Sequence, residues 1–213
     1  MVVKNVLLIF LLLLANVYAN DPYVDDETLK RIAKKYNIYA EKRFSYLQVT
    51  LDNIRGKNDL EKLNVVNEFY NEVRYSSDLK VYNKNDYWAT PLEFLSRDLG
   101  DCEDYVISKY FALIYLGVDS KKLFFTYVRS TKFKKPHMVL TYFKTPRSEP
   151  LVLDNNNRKI FLASQRDDLI PIYNFNGESL YRATKSGTGK KIKQTKSHKK
   201  WDQLKRNIKR KKI

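Results

Sequence analysis

The sequence predicts an α+β domain, in which several helices come first and an antiparallel sheet follows. Apolar residues recur at spacings of three and four between residues 25 and 116, which is the period of helices packed on a core. From residue 122 onward, short runs rich in β-branched and aromatic residues alternate with turn compositions. Helices and strands that are segregated along the chain favour the α+β class, and 213 residues suffice for one domain with a sizeable core.

The first two predicted helices cover residues 25–54 and 59–74. Charged residues lie between the apolar positions of the first, and Gly56 ends it. The second repeats the pattern with a wider apolar stripe that includes Phe69 and Val73. Both segments therefore predict amphipathic helices that pack on one core.

Two further helices are indicated by their ends. In "YWATPLEFLSRDLG", Thr90 and Pro91 predict the N-cap and the first residue of a short helix. Residues 102–116 predict the next helix, which Gly117 ends.

Four segments predict strands: 122–130, 137–144, 150–155 and 159–164. The second and third are joined by "TPRSEP", a turn composition that favours an antiparallel pair. We see no Gly-rich phosphate loop and no zinc-type Cys/His spacing in the sequence.

Residues 1–19 have the layout of a secretory signal peptide. Lys4 gives a positive start, the run from Val6 to Leu14 is apolar, and small Ala19 precedes the predicted cleavage before Asn20. An uncleaved anchor is the alternative, although the apolar run is short for a membrane span. Either way, we expect the rest of the chain to be exported.

The basic charge is concentrated at the C-terminus. Residues 185–213 hold 13 Lys or Arg and one acid, so they supply +12 of the net charge of +16. We expect a disordered tail after a folded domain of residues 20–184, because few apolar residues and high charge cannot build a core. The tail is either a solvated appendage or a segment that contacts a polyanion.

Cys102 is the only cysteine, so the chain has no internal disulfide. It stands in the first turn of a predicted helix, where free N–H groups and the helix dipole favour a thiolate. An inert, small core residue is the alternative interpretation of a lone cysteine.

A base and an orienting carboxylate are predicted on neighbouring strands. His137 is the only histidine before the basic tail and opens the strand "HMVLTYF". Asp154 ends the following strand, and antiparallel pairing brings the start of one strand beside the end of the next. Cys102, His137 and Asp154 would then form a nucleophilic triad, although each alone is more often structural.

Asp101, Glu103 and Asp104 surround the cysteine with carboxylates. Acids in a first helical turn cap the helix and complement its dipole. They also raise the pKa of a neighbouring thiol, so a bound hard cation that cancels their charge is the second interpretation. The backbone N–H of Cys102 and the indole N–H of Trp88 are candidate oxyanion donors, while a plain core role for Trp88 stays open.

Four segments resemble one family, the bacterial transglutaminase-like cysteine proteases of the LapG type. They are "DYWATPLEFLSRDLGDCEDYVISKYFALIYLGV", "HMVLTYF", "EPLVLDN" and "ASQRDDLIPIYNFNGESLY". The resemblance extends from about residue 25 to residue 183, with the three motifs in the family's order and spacing. It implies a papain-like/transglutaminase-like fold with Cys102 as nucleophile, His137 as base and Asp154 as orienting carboxylate.

The resemblance also implies a biological setting. Family members are calcium-dependent periplasmic endopeptidases that cut near the N-terminus of a large surface adhesin and so release cells from biofilm. They are commonly restrained by an inner-membrane receptor that senses cyclic-di-GMP. The carboxylates of Asp101, Glu103 and Asp104 are the predicted ligands of a hard cation. That this cation is calcium, bound beside the nucleophile, is what the resemblance implies, because the carboxylates alone do not decide it.

Two other functions remain open at this point. The same core would suit an exported amidase or transglutaminase-like enzyme that acts on cell-wall peptides. A non-catalytic protein that binds a polyanion through its basic tail would need residues 185–213 and not Cys102.

Overall fold

The computed structural model describes residues 21–177, 179–192 and 199–210. These residues form helices packed on a six-stranded antiparallel sheet, which confirms the α+β prediction. The predicted signal peptide, residues 1–19, lies outside the described residues. Within the described part of the chain, no helix has the length and apolar character needed to cross a bilayer.

The helical layer precedes the sheet in the chain. Its helices are α1 (Asp26–Lys35), α2 (Ile38–Ile54), α3 (Asp59–Asn71), α4 (Asp78–Tyr82), α5 (Pro91–Arg97) and α6 (Cys102–Tyr115). The prediction of helical structure throughout residues 25–54 is wrong at Asn37. Its side chain accepts the Ala40 N–H at 2.9 Å and caps a new helix, so the segment divides into α1 and α2.

The predicted ends of α5 and α6 are confirmed. Thr90 caps α5, because its Oγ1 accepts the Glu93 N–H at 3.1 Å and a Glu93 oxygen accepts the Thr90 N–H at 3.0 Å. Pro91 is the first helical residue. Gly117 follows α6 with φ +82°, a left-handed conformation that glycine adopts without strain.

The sheet has the strand order β6-β5-β4-β3-β7-β8, and all its pairs are antiparallel. The four predicted strands correspond to its first four strands in the chain, and β7 and β8 extend the sheet. A separate parallel pair, β1 with β2, joins the helical part. The bounds are β1 (Arg74–Tyr75), β2 (Leu99–Gly100), β3 (Leu123–Ser130), β4 (Lys135–Tyr142), β5 (Leu151–Asp154), β6 (Asn157–Leu162), β7 (Leu169–Phe175) and β8 (Leu180–Arg182).

Helix α6 is the central helix of the fold. It packs against β4 of the sheet and against α3 and α5 of the helical layer. Ile107 and Leu113 on this helix are fully buried. Because α6 begins at Cys102, this packing fixes the cysteine next to the strand that carries His137.

The expectation of a disordered tail is wrong for residues 199–209, which form helix α7. Trp201 and Leu204 are buried, and Trp201 stacks on Phe111 with ring centroids 5.9 Å apart. The segment needs no core of its own, because its few apolar residues enter the core of the main domain.

Candidate active site

Cys102 occupies the first position of α6, directly after the N-cap Asp101. Cys102 forms no disulfide and is partly buried. Its thiol donates a hydrogen bond to Glu103 Oε2 at 3.2 Å. Burial raises the pKa of the Cys102 thiol well above its usual value, and the charges of Glu103 and Asp101 raise it further. The backbone N–H of Met138 acts in the opposite direction.

His137 and Asp154 meet as the antiparallel strand pair predicts. The imidazole Nε2 lies 2.8 Å from Asp154 Oδ1, and both residues are buried. Burial alone would raise the pKa of Asp154, but the hydrogen bond and charge of His137 hold it below its ordinary value. The backbone N–H of Asn156 and the Arg166 guanidinium add to this lowering.

Arg166 and Asn156 complete the surroundings of Asp154, and sequence reasoning missed both. Arg166 is 4% exposed and donates to Asp154 Oδ2 at 2.7 Å and to both Asp168 oxygens at 2.8 Å. The Asn156 side chain lies 3.2 Å from His137 Nε2, and its backbone N–H donates to Asp154 Oδ1 at 2.9 Å. A sequence signal existed for Arg166, since "ASQRDDL" lies within the segments that carry the family resemblance.

Cys102 and His137 line the same open cavity of about 540 Å³. Its wall mixes acidic, basic and aromatic side chains, among them Asp101, Glu103, Lys135, Tyr75, Tyr127 and Trp88. A cavity of this size admits an extended peptide segment of a few residues beside the thiol.

The three predicted cation ligands lie together but differ in what they contact. Asp104 is fully buried, and its two oxygens accept the N–H groups of Ala89 at 2.9 Å and Asp101 at 3.3 Å. It therefore serves as a helix cap, which is the first of the two predicted interpretations. Asp101 and Glu103 face the cavity. Asp101 Oδ2 accepts the Asp78 N–H at 3.4 Å, whereas Asp101 Oδ1 accepts no hydrogen bond from the described residues.

Two further carboxylates join this cluster, and the sequence analysis did not single them out. Asp78, Asp86 and Glu103 bring ligand oxygens within 4.8 Å of one another, and so do Asp78, Asp101 and Asp104. Asp86 belongs to "NDYW", just before Trp88, and Asp78 begins α4. Sequence reasoning did not assign Asp78 and Asp86 to the cluster because they lie 24 and 16 residues before Cys102.

The pKa values of Asp78, Asp101, Glu103 and Asp104 are raised because these acids are withdrawn from solvent and lie near one another. Burial raises the pKa of Asp78 to about 6, an effect that the Tyr87 N–H partly offsets. Burial, followed by the charge of Asp101, raises the pKa of Glu103 to about 8. A group with this much accumulated negative charge is stabilised by protons or by a cation.

Trp88, the candidate oxyanion donor, is 5% exposed and lines the cavity. Its ring stacks against Phe125 with centroids 6.3 Å apart. It is therefore part of the core and of the cavity wall together, and its role as a donor stays a prediction.

A thiol at a helix N-terminus, an imidazole on the same cavity and a buried carboxylate behind it define the class of cysteine hydrolases. The model of the bacterial transglutaminase-like cysteine proteinases matches residues 43–168, more than half of the sequence. The chain therefore belongs to this family and is a cysteine protease.

Solved structures of Legionella pneumophila LapG are similar over nearly their whole length. The calcium-bound form gives a TM-score of 0.74 with 38% identity and covers 87% of this chain and 99% of that chain. The EGTA-treated form gives 0.72 with 40% identity and covers 90% and 100%. A third LapG structure gives 0.71 with 37% identity and covers 90% and 99%. Among curated proteins, no sequence matches this chain.

Proposed function

We propose that this chain is a calcium-dependent periplasmic endopeptidase with Cys102, His137 and Asp154 as its catalytic triad. One observation carries the proposal: Cys102 begins α6 on the cavity that His137 also lines, and buried Asp154 holds the imidazole at 2.8 Å. This arrangement supplies a nucleophile, a proton carrier and the group that orients it.

Acylation follows from these roles. The Cys102 sulfur attacks the carbonyl carbon of the scissile peptide bond, and His137 holds the proton that left the thiol. His137 passes this proton to the departing nitrogen as the C–N bond breaks, which leaves a thioester on Cys102. Asp154 stays ionised and stabilises the imidazolium, consistent with its lowered pKa.

Deacylation reverses the proton path. A water molecule attacks the thioester while His137 takes its proton, and the C–S bond breaks to give a free carboxylate and the thiol. In both steps the negative oxygen needs hydrogen-bond donors. The backbone N–H of Cys102 is the first candidate, and the Trp88 indole is the second.

The acidic cluster fits a calcium ion. Asp78 Oδ1 and Asp101 Oδ1 are buried and accept no hydrogen bond from the described residues, and such oxygens call for a cation or a proton. Carboxylate oxygens that share one calcium at 2.3–2.6 Å lie within about 5 Å of each other. Asp78, Asp86 and Glu103 meet this condition as one set, and Asp101 meets it toward Asp78 and toward Glu103. Asp78, Asp86, Asp101 and Glu103 would hold the ion, which would cancel the charge that keeps the thiol protonated.

The calcium-bound and EGTA-treated LapG structures support calcium as the ion for this chain. The resemblance to that family further supports a large surface adhesin as the substrate, cut in its N-terminal region to release cells from biofilm. An inner-membrane receptor that senses cyclic-di-GMP is the proposed restraint. Export would depend on the signal peptide, residues 1–19.

The test is cleavage of an N-terminal adhesin fragment by residues 20–213 in calcium and in excess chelator, with Cys102→Ala alongside. We expect a new fragment only with the wild type in calcium. Cleavage by Cys102→Ala would refute the thiol mechanism, and full activity in chelator, with calcium removal verified, would refute the calcium dependence.

Cell-wall peptides serve as the competing substrate in the same assay. Release of wall peptides without cleavage of the adhesin fragment would move the assignment to an exported amidase. The two activities share the proposed triad. The comparison with wall peptides therefore tests which substrate the enzyme cleaves and does not test the proposed catalytic mechanism.

A further inference from the structure

Lys109 carries a buried amine that the proposed mechanism does not use. Burial lowers the pKa of this amine to about 7, an effect that the charge of Asp154 partly offsets. The Lys109 side chain is fully buried, although an ammonium loses much hydration free energy on burial. It lies on α6, seven residues and about two turns beyond Cys102, so both side chains lie on one face of the helix.

The Lys109 amine contacts two asparagines of α3. Lys109 Nζ donates to Asn67 Oδ1 at 2.8 Å and to Asn71 Oδ1 at 2.7 Å. These bonds fix which end of each amide is the oxygen, and so direct both NH₂ groups away from the lysine.

Both amides donate onward to the β5–β6 hairpin. Asn71 Nδ2 donates to the carbonyl of Asp154 at 2.9 Å, and Asn67 Nδ2 donates to the carbonyl of Arg158 at 2.9 Å. The hairpin turn between these carbonyls carries Asn156, which contacts both Asp154 and His137. Lys109 thus connects the helix of the nucleophile to the strand of the orienting carboxylate.

We propose that Lys109 and Asn71 are positioning residues that hold Asp154 in register with His137 and Cys102. The inference rests on the proposed triad. Without the Asn71 bond, the end of β5 is free to shift relative to α6, and the imidazole loses its fixed orientation. Shifts of this kind lower the rate of the chemical step more than substrate binding.

The chain offers a matched pair of variants. Asn71→Leu and Asn67→Leu each remove one acceptor of Lys109. Asn67→Leu also removes one bond to the hairpin, and Asn71→Leu removes the bond to Asp154 and a longer one of 3.4 Å to the Asn157 carbonyl. Only Asn71 bonds the residue that orients His137. The readouts are kcat and KM for the adhesin fragment, and the pH dependence of Cys102 alkylation by iodoacetamide. Urea unfolding measures the stability of each variant.

We expect Asn71→Leu to lower kcat about tenfold at unchanged KM and to move thiol alkylation to higher pH. Asn67→Leu should lose comparable stability while kcat and the alkylation profile stay at wild-type values. Equal profiles for the two variants would overturn the positioning role. Should Asn71→Leu fail to fold, Asn71→Ser, which is too short to reach the Asp154 carbonyl, is expected to give the same kinetic change. A wild type without cleavage or triad-dependent alkylation would instead refute the proposed function.

A separate observation concerns Lys200 of α7. Its ammonium forms an ion pair with Asp86, and Lys200 also lines the cavity of Cys102. The neighbouring Trp201 anchors the helix, since its ring packs between Phe111, Phe125 and Phe175. The packing of Trp201 therefore fixes the position of the neighbouring Lys200 relative to the cavity.

We infer that Lys200 is a tethered cation that competes with calcium for Asp86. This rests on the proposed calcium site. One positive charge with three donors satisfies Asp86 only in part, whereas calcium takes six to eight oxygens. Calcium binding would then require Lys200 to leave Asp86, so α7 would lower the calcium affinity of the enzyme.

The test is calorimetric titration of calcium into the Cys102→Ala protein, alone and combined with Lys200→Met or Lys209→Met. Lys209 ends the same helix, about 13 Å further along its axis, and serves as the charge-matched control. We expect Lys200→Met to bind calcium about fivefold to tenfold more tightly and Lys209→Met to match the parent.

Unchanged or weaker binding by Lys200→Met would overturn the competition. Absence of calcium binding in the parent would instead refute the proposed metal site. Lys200→Arg, which keeps the charge, should bind like the parent, and a gain in affinity by this variant would also count against the competition.

Discussion

At the scale of single residues, the site contains two charged environments, one around Asp154 and one around Cys102. Asp154 is surrounded by donors and stays ionised, whereas Glu103 and Asp101 face each other and Cys102 with too few donors. The first environment fixes the orientation of the His137 ring, because Nε2 lies 2.8 Å from Asp154 Oδ1. The second keeps the thiol protonated until its negative charge is cancelled.

The Arg166→Met variant tests how much the donors around Asp154 stabilise the fold. Arg166→Met leaves Asp154 buried with one oxygen unpaired, and removal of one partner from a buried ion pair costs about 3–5 kcal/mol. Urea unfolding at neutral pH measures the loss. Arg158→Met is the control, because its ion pair with Glu72 is exposed and should contribute less than about 1 kcal/mol. Equal losses for the two variants would contradict the account.

The pH dependence of that loss has a definite sign. The folded pKa of Asp154 lies below its unfolded value of about 3.9, so its stabilisation is complete above that value. It disappears as the pH falls through the lowered folded pKa. In Arg166→Met the folded pKa rises, so the difference in stability between wild type and variant should shrink below about pH 4.

The Glu103→Gln variant tests whether the acidic cluster beside Cys102 binds calcium. Glu103→Gln removes one cavity-facing charge from the cluster, so calcium should bind at least about tenfold more weakly in calorimetric titration. Glu68→Gln removes a charge from an exposed position on α3 and should bind calcium as the wild type does. Wild-type affinity in Glu103→Gln would exclude this residue as a ligand.

At the scale of secondary-structure elements, α7 was the least predictable part of the fold. Trp201, Leu204 and Ile208 recur at spacings of three and four, which is the helical period. The composition of residues 185–213 is dominated by lysine and arginine, so the composition alone predicts disorder and does not indicate this helical period. Helix α7 is ordered because Trp201 enters an aromatic pocket formed by α6 and the sheet. A short window of sequence around Trp201 does not reveal this distant pocket.

Trp201→Ala measures how firmly this element is held. Removal of a buried Trp costs about 3–5 kcal/mol when the cavity cannot collapse. The free energy of unfolding in urea should fall by this amount, and hydrogen exchange along α7 should become faster. Leu79→Ala, at an exposed position on α4, is the control and should stay within about 0.5 kcal/mol of the wild type. A Trp201→Ala protein as stable as that control would contradict the packing.

Elements with local signals were predicted well. Thr90, Pro91 and Gly117 set helix ends through bonds and backbone conformations within a few residues. The break at Asn37 was missed because an amphipathic period continues across it, while β7 was missed because it joins the sheet on the far side of β3. The pair of His137 and Asp154 was predictable since one hairpin brings them together.

At the scale of the whole molecule, the domain places Cys102, the proposed nucleophile, where the helical layer meets the sheet. Helix α6 carries Cys102, the sheet carries His137 and Asp154, and the loop and short helix before α5 supply Asp78 and Asp86. The long-range members of the site, Asp78, Asp86 and Arg166, come from separate segments. Sequence reasoning missed these three for that reason, and it also missed Asn156, which lies only two residues beyond Asp154 but acts through its backbone N–H and its amide.

The most direct measurement is the rate of Cys102 alkylation by iodoacetamide near pH 6.5, in calcium and in excess chelator, with His137→Ala alongside. This measures the thiolate without any assumption about the substrate. The account predicts fast alkylation of the wild type in calcium, and slow alkylation both in chelator and in His137→Ala. Equal rates with and without calcium, in protein shown to bind the ion, would contradict the claim that a cation frees the thiol for catalysis.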